Sequence, residues 1–143
     1  MNVEAILRSK GRSVTTIAPE ARIATAVALL RRHAVGALVV SENGVAVDGI
    51  ISERDIVTAL ADHGAATLAL SVADLMSRHV ITCRRDDAVA DLAALMTDKR
   101  IRHLPVVDRG ALAGIVSIGD VVKHRIDEVE DEASSMREFI ASA

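Results

Sequence analysis

The sequence predicts an α/β fold of the α+β kind: two β-α-β-β-α repeats packed about a pseudo-two-fold axis. Three observations predict it. The phrase GIISERDIV at 49–57 returns as GIVSIGDVV at 114–122. Sliding the chain over itself by 66 residues sets Val14 on Val80, Thr16 on Thr82, Ile23 on Val89, Leu38 on Leu104 and Gly44 on Gly110. Within each copy, short β-type runs alternate with stretches of helical period. The second copy loses one residue in a turn, so Gly49, Ser52 and Asp55 match Gly114, Ser117 and Asp120 at a spacing of 65. Turns are where a duplicated fold best tolerates such a loss.

The elements follow in order. A short helix at Val3–Leu7 is the weaker counterpart of one at Val72–Met76, whose start Ser71 and Asp74 frame as a capping box. Each copy then opens with a strand, Val14–Ile17 or Val80–Cys83. A helix comes next: Ile23, Ala26, Val27 and Leu30 form one apolar stripe, repeated by Val89, Leu92, Ala93 and Met96. Two strands follow, Ala37–Val40 with Val45–Ile51, and His103–Val107 with Leu112–Val116. Asn43–Gly44 and Arg109–Gly110 lie in the intervening turns. Asn-Gly is a strong hairpin signal, although a bulged or longer turn also fits. Pro105 fixes its own φ and biases Leu104 to be extended, which suits the start of an edge or bulged strand. A second helix covers Asp55–Ala61 and Asp120–Arg125. The first repeat is assigned to residues 1–66 and the second to 67–128. Residues 129–143 form a tail that extends the last helix, docks on a partner or frays. Neither copy is long enough to be comfortable alone, so the two are expected to share a core.

Composition narrows the function. Half of the 143 residues are apolar and a quarter are charged, with net charge −3, as in a soluble single domain. The densest basic spots, Arg31–Arg32 and Arg84–Arg85, are too short for a nucleic-acid surface. Cys83 is the only cysteine, which excludes an internal disulfide and a CxxC site; it is read as a buried or half-buried thiol. Glu4 stands where a signal peptide needs an apolar core, and no apolar run approaches membrane-spanning length. The cytoplasm is the expected location, with no membrane contact. Phe139 is the only aromatic residue, so a planar ligand would be gripped by aliphatic side chains and backbone. The five histidines form no HExxH and no metal spacing, and neither a P-loop nor a nucleophile elbow is present. No catalytic or metal residues are expected. His33, His63, His79 and His124 are read as surface or helix-end residues.

The repeated corner has two readings. Ser52 or Ser117 can cap a helix while Asp55 or Asp120 returns a bond to the cap. The same corner can also line a pocket. Arg102 and His103 precede a rigid Leu104–Pro105, whereas the matching Gly36 and Ala37 are uncharged. The two corners are therefore expected to be unequal.

Together these stretches resemble a tandem pair of CBS domains, or Bateman module. The resemblance covers residues 3–126 and rests on VADLM at 72–76, VITCRRDDAVADLAALMTDKRIRHLPVVD at 80–108, and the two corner phrases. It implies a CBS-pair architecture and a regulatory, non-enzymatic module. Such a module would bind an adenosine nucleotide (AMP, ADP or ATP) in clefts between the repeats, with S-adenosylmethionine as an alternative. By resemblance, Asp55 and Asp120 meet ribose hydroxyls, and Ser52 and Ser117 meet ribose or phosphate. Thr16, Thr82, and the chain around Ala37, His103 and Leu104 line the base and sugar pockets. Arg54, Arg102 and His103 meet phosphate.

From the departures between copies, the Asp120 site is expected to gather Arg102, His103 and Arg54. The Asp55 site is expected to face Gly36 and Gly119 with little positive charge, and so to bind weakly or stay empty. The resemblance also implies a homodimer, with Ile56, Val57, Leu60, Val121 and Val122 as candidate contacts, and leaves room for a separate effector protein. A ligand-free dimerisation scaffold is the competing reading.

Overall fold

The computed structural model describes residues 1–142; Ala143, the end of the expected tail, lies outside them. The order is α1 (Val3–Lys10), β1 (Thr16–Ile17), α2 (Ile23–His33), β2 (Ala37–Val40), β3 (Gly49–Ser52), α3 (Glu53–His63), a 3-10 turn (Gly64–Ala69), α4 (Val72–Leu75), α5 (Val89–Lys99), β4 (His103–Asp108), β5 (Ala111–Ser117) and α6 (Ile118–Ser142). The fold is α/β and built from two β-α-β-β-α repeats, each with its own core and not the single shared core expected, because each repeat completes its core with the other's short helix.

The expected strand at Val80–Cys83 is reduced to one parallel bridge, Cys83 to Val106. Cys83 N–H donates to Pro105 O, and Val107 N–H donates to Cys83 O. One step further along this ladder, Pro105 would have to donate to Ile81, and proline has no N–H. In the first repeat the equivalent residue is Val39, whose N–H does donate to Thr15 O, at 3.4 Å. There β1 pairs parallel with β2 over two residues. Pro105 itself is buried, and β4 bulges immediately after it, between Val106 and Val107.

The tight hairpin turn forms at Arg109–Gly110, not at Asn43–Gly44. Arg109 and Gly110 both have positive φ, 53° and 78°, the backbone of a two-residue hairpin. Residues 41–48 instead make a longer loop. Asn43 Oδ1 accepts from Val45 N–H and Ala46 N–H, and Ser41 Oγ accepts from Gly44 N–H. The expected strand from Val45 therefore begins only at Gly49.

The two short helices are exchanged between the repeats. Val3, Ile6 and Leu7 of α1 belong to the core of the second repeat, with Leu92, Met96, Leu104 and Val116. Val72 of α4 belongs to the core of the first, with Ile23, Leu38, Ile51 and Ile56. Backbone bonds pin both exchanges: Val3 N–H to Asp87 O at 3.0 Å, and Val72 N–H to Ala21 O at 2.7 Å. The repeated glycine makes them possible. A Cβ at Gly114 would lie 2.7 Å from Leu7 Cδ2, and one at Gly49 would lie 2.8 Å from Met76 Sδ and 2.9 Å from the Ser77 carbonyl. Both distances are below van der Waals contact. The glycine that opens each repeated phrase is therefore where the exchanged segment lies against the sheet.

The tail extends the last helix, so α6 runs for 25 residues. Of the candidate dimer contacts, Ile56 and Val121 are core residues, while Val57, Leu60 and Val122 are exposed. Cys83 is buried, and burial, with Asp87 nearby, pushes its thiol up to about 12. No helix among the described residues is long and apolar enough to cross a membrane.

Candidate functional site

Both repeated corners are capped as the sequence predicts. At the first, Ser52 N–H donates to Asp55 Oδ2 at 2.8 Å, Ser52 Oγ–H donates to the same oxygen at 3.0 Å, and Asp55 N–H donates to Ser52 Oγ at 3.4 Å. At the second, Ser117 N–H donates to Asp120 Oδ2 at 2.9 Å, and Asp120 N–H donates to Ser117 Oγ at 3.2 Å. Asp55 Oδ1 accepts no hydrogen bond among the described residues. Capping therefore occupies one carboxylate oxygen and leaves the other for a ligand.

The corners differ in what surrounds them. Asp55, Ser52 and Arg54 line a cavity of about 590 Å³, together with Arg100, Arg102 and His103 of the second repeat. Ala37, Ile50, Val57, Val80, Ile81 and Ile101 supply its aliphatic wall, and Glu53 and His79 also reach it. Three guanidiniums therefore share one opening with the two carboxylates Glu53 and Asp55. Arg100 ends α5 in the left-handed conformation, φ 54°, as Ala34 ends α2 at φ 52°. The second repeat thus spends the same unusual backbone position on an arginine.

At Asp120 the carboxylate is paired with a lysine instead of facing arginines. Lys10, the last residue of the exchanged α1, donates to Asp120 Oδ2 at 2.7 Å and to the Ile115 carbonyl at 3.1 Å. Burial acts to raise the Asp120 pKa. The Lys10 ammonium and the Ser117 N–H together outweigh it and hold the carboxyl below its ordinary value.

These positions correct the expected grouping of charge. Arg54, Arg102 and His103 join Asp55, not Asp120, and the well-charged cleft is that of the first corner. The reason is topological. The start of β4 lies beside the start of β2, so that a Cβ on Gly36 would sit 3.1 Å from His103 Cε1. Arg102 and His103 then reach across to the other repeat's corner. His103 still pairs with Ser117 along β4–β5 and Ala37 with Ser52 along β2–β3, so His103 stands between the two corners. Burial lowers the His103 pKa first of all. Lys10 and Arg102 lower it further, while Glu53 and Asp120 act the other way.

The remaining predicted positions lie outside the cavity. Leu104 is fully buried in the second core. Thr16 is half-buried in β1 and Thr82 is exposed, whereas their neighbours Val80 and Ile81 line the opening. Ser117 and Asp120 are held at the corner where Lys10 pairs with the carboxylate. Sequence reasoning missed Arg100, which looks like an ordinary helix-end residue. It also missed Lys10, whose role depends on an exchange that no local pattern announces. His79 is exposed, as expected, at the rim of the cavity, whereas His124 is buried with its Nδ1 2.9 Å from the Asp120 carbonyl and is not the surface residue expected. No cluster of three or more His, Cys, Asp or Glu suited to a metal occurs among the described residues.

Two exchanged repeats, each ending in a capped Ser-x-x-Asp corner, with a cavity between them, define a paired-repeat regulatory module. The chain belongs to the CBS domain family, which matches residues 4–62 and 72–127. It is similar to a mitochondrial CBS domain-containing protein of Arabidopsis thaliana, 34% identical over 94% of this chain and 69% of that protein. Among solved structures it is similar to a CBS-domain containing protein from Agrobacterium tumefaciens, 45% identical with a TM-score of 0.83, covering 87% of this chain and 92% of that one. It is also similar to a CBS domain pair solved in complex with 5′-methylthioadenosine and S-adenosyl-L-methionine, 28% identical with a TM-score of 0.78, covering 90% and 98%.

Proposed function

We propose that the chain senses an adenosine-containing ligand in the Asp55 cavity and passes the signal through assembly with itself or with a separate effector protein. The observation that carries this reading is the company Asp55 keeps. An unoccupied carboxylate oxygen shares one opening of about 590 Å³ with Arg54, Arg102 and His103. Ribose offers two adjacent hydroxyl donors, which a carboxylate accepts without an unusual pKa. Val57, Ile81 and Ile101 offer the apolar faces a purine needs where no aromatic ring is available. The guanidiniums suit an anionic group carried at the other end of the ribose. A pure scaffold has no need to hold three arginines around one cavity.

Within this class an S-adenosyl ligand is favoured over AMP, ADP or ATP. The similar pair at 28% identity was solved with S-adenosyl-L-methionine and 5′-methylthioadenosine, and the carboxylate of S-adenosylmethionine gives the arginines a partner. AMP, ADP or ATP is the second reading, favoured by the number of guanidiniums around the cavity. Calorimetric titration with S-adenosylmethionine, methylthioadenosine, AMP, ADP and ATP, repeated on Arg102→Ala, separates the two. Tight S-adenosylmethionine binding with weak nucleotide binding supports the first, and the reverse order supports the second. A folded protein that binds none of the five overturns the sensor reading and leaves the scaffold.

A further inference from the structure

We infer that α6, from Val122 onward, is a zipper that pairs this chain with a second copy of itself, parallel and in register. The inference is independent of the ligand reading. It starts from the spacing of apolar residues on a helix of 25 residues. Val122, Ile126, Val129, Ala133, Met136 and Ile140 follow one another at steps of four and three in strict alternation. That is a seam of period 3.5 over three heptads, the pattern of a two-stranded coiled coil rather than of a helix packed on a globular core. The seam has no cover within the chain. Val122, Ile126, Val129, Met136 and Ile140 are between 49% and 67% exposed. Its first half forms one wall of a cavity of about 470 Å³ whose other wall is Ala93 and Thr97 of α5. A second helix lying there would contact both α5 and α6.

The flanking charges name the occupant. Arg125 and Glu132 stand immediately before seam positions Ile126 and Ala133; Glu130 and Arg137 stand immediately after Val129 and Met136. In a parallel pair each residue of the first kind faces the residue of the second kind five places further along the other chain. Arg125 would then face Glu130 of the second copy, and Glu132 would face its Arg137. Both pairs are attractive, and the two-fold axis makes each of them twice. An antiparallel pair centred on the same seam would set Glu130 against Glu130 and Lys123 against Arg137, and both are repulsive. Glu130, Glu132 and Arg137 make no ion pair among the described residues, and Arg125 has only its own Glu128 at 3.4 Å.

Sedimentation equilibrium on the full chain tests this. The wild type should be a dimer. Val129→Asp with Met136→Asp, both at exposed positions, should be monomeric with an unchanged far-ultraviolet circular dichroism spectrum. Glu132→Arg alone, and Arg137→Glu alone, should each weaken the dimer by roughly tenfold, the scale of two exposed pairs turned repulsive. Mixed in equal amounts, these two single variants should recover a tight dimer, because only the heterodimer restores both attractive pairs. A monomeric wild type, or a dimer that survives the paired aspartates, overturns the zipper. Failure of the mixture to recover overturns its parallel register.

Discussion

Lys10→Met should weaken the fold and open the second corner at once. The lysine stands over the second corner, its ammonium 2.7 Å from the Asp120 carboxylate and 3.1 Å from the Ile115 carbonyl. Its side chain is 32% exposed and that of Asp120 22%. An exposed ion pair of this kind contributes about 0–1 kcal/mol, and breaking a buried one costs about 3–5 kcal/mol. A pair at this depth, with one added hydrogen bond, should be worth about 1–1.5 kcal/mol, since methionine keeps the length and apolar stem of lysine. At roughly 3 °C per kcal/mol for a chain of this size, the melting temperature should fall by about 3–5 °C at pH 7.

The pH dependence gives the sign. Asp120 is held below its ordinary pKa in the fold, so its contribution is present above the unfolded value near 3.9 and is lost as pH falls through the folded value. The gap between wild type and Lys10→Met should therefore narrow below about pH 4. Denaturant melts at pH 7 and pH 3 measure both. With the cleft opened, ligand stoichiometry should rise from one to two per chain. Equal stability at pH 7, or a gap that does not narrow in acid, would refute the assignment of Lys10 as the plug.

Two further outcomes follow from the same geometry. Gly114→Ala should destabilise by roughly 1–3 kcal/mol, the cost of overpacking, because the new Cβ would sit 2.7 Å from the fully buried Leu7. Thermal melts should show the loss, and adding Leu7→Ala should change it non-additively. His103 keeps a depressed pKa mainly through burial, so the unfolded chain takes up its proton first as pH falls below about 6.5. The stability this lends is complete above that value and is lost on acidification. Between pH 7.5 and 5.5 the wild type should lose more melting temperature than His103→Gln; equal losses would count against it.

The duplication was legible because each repeat carries its own periodicities and its own Gly-x-x-Ser-x-x-Asp phrase. Local signals served the helices well: the stripes at Ile23–Leu30 and Val89–Met96 fall on α2 and α5, and Ser71 with Asp74 makes its capping box. All but one of the errors arise where distant residues decide. The strand at Cys83 fails because Pro105, more than twenty residues later, lacks the N–H it needs. Asn43–Gly44 lies in a long loop because Asn43 spends its side chain on that loop's own backbone. The charges were assigned to the wrong corner because the sequence shows which residues share a repeat, not which ones meet across it. Arg102 and His103 neighbour Ser117 along the strand, yet they face Asp55 through the space left by Gly36. Lys10 was invisible for the same reason, since its partner lies 110 residues away.

Asp55→Asn tests the central claim most directly. Asparagine keeps an oxygen for the Ser52 N–H and so keeps the cap, but it replaces the free carboxylate oxygen with a donor. Calorimetric titration of this variant and of Asp120→Asn with the adenosine-containing ligand that binds the wild type should show binding lost in the first and retained in the second. Binding that survives Asp55→Asn and disappears in Asp120→Asn would contradict the account and return the site to the corner where Lys10 stands.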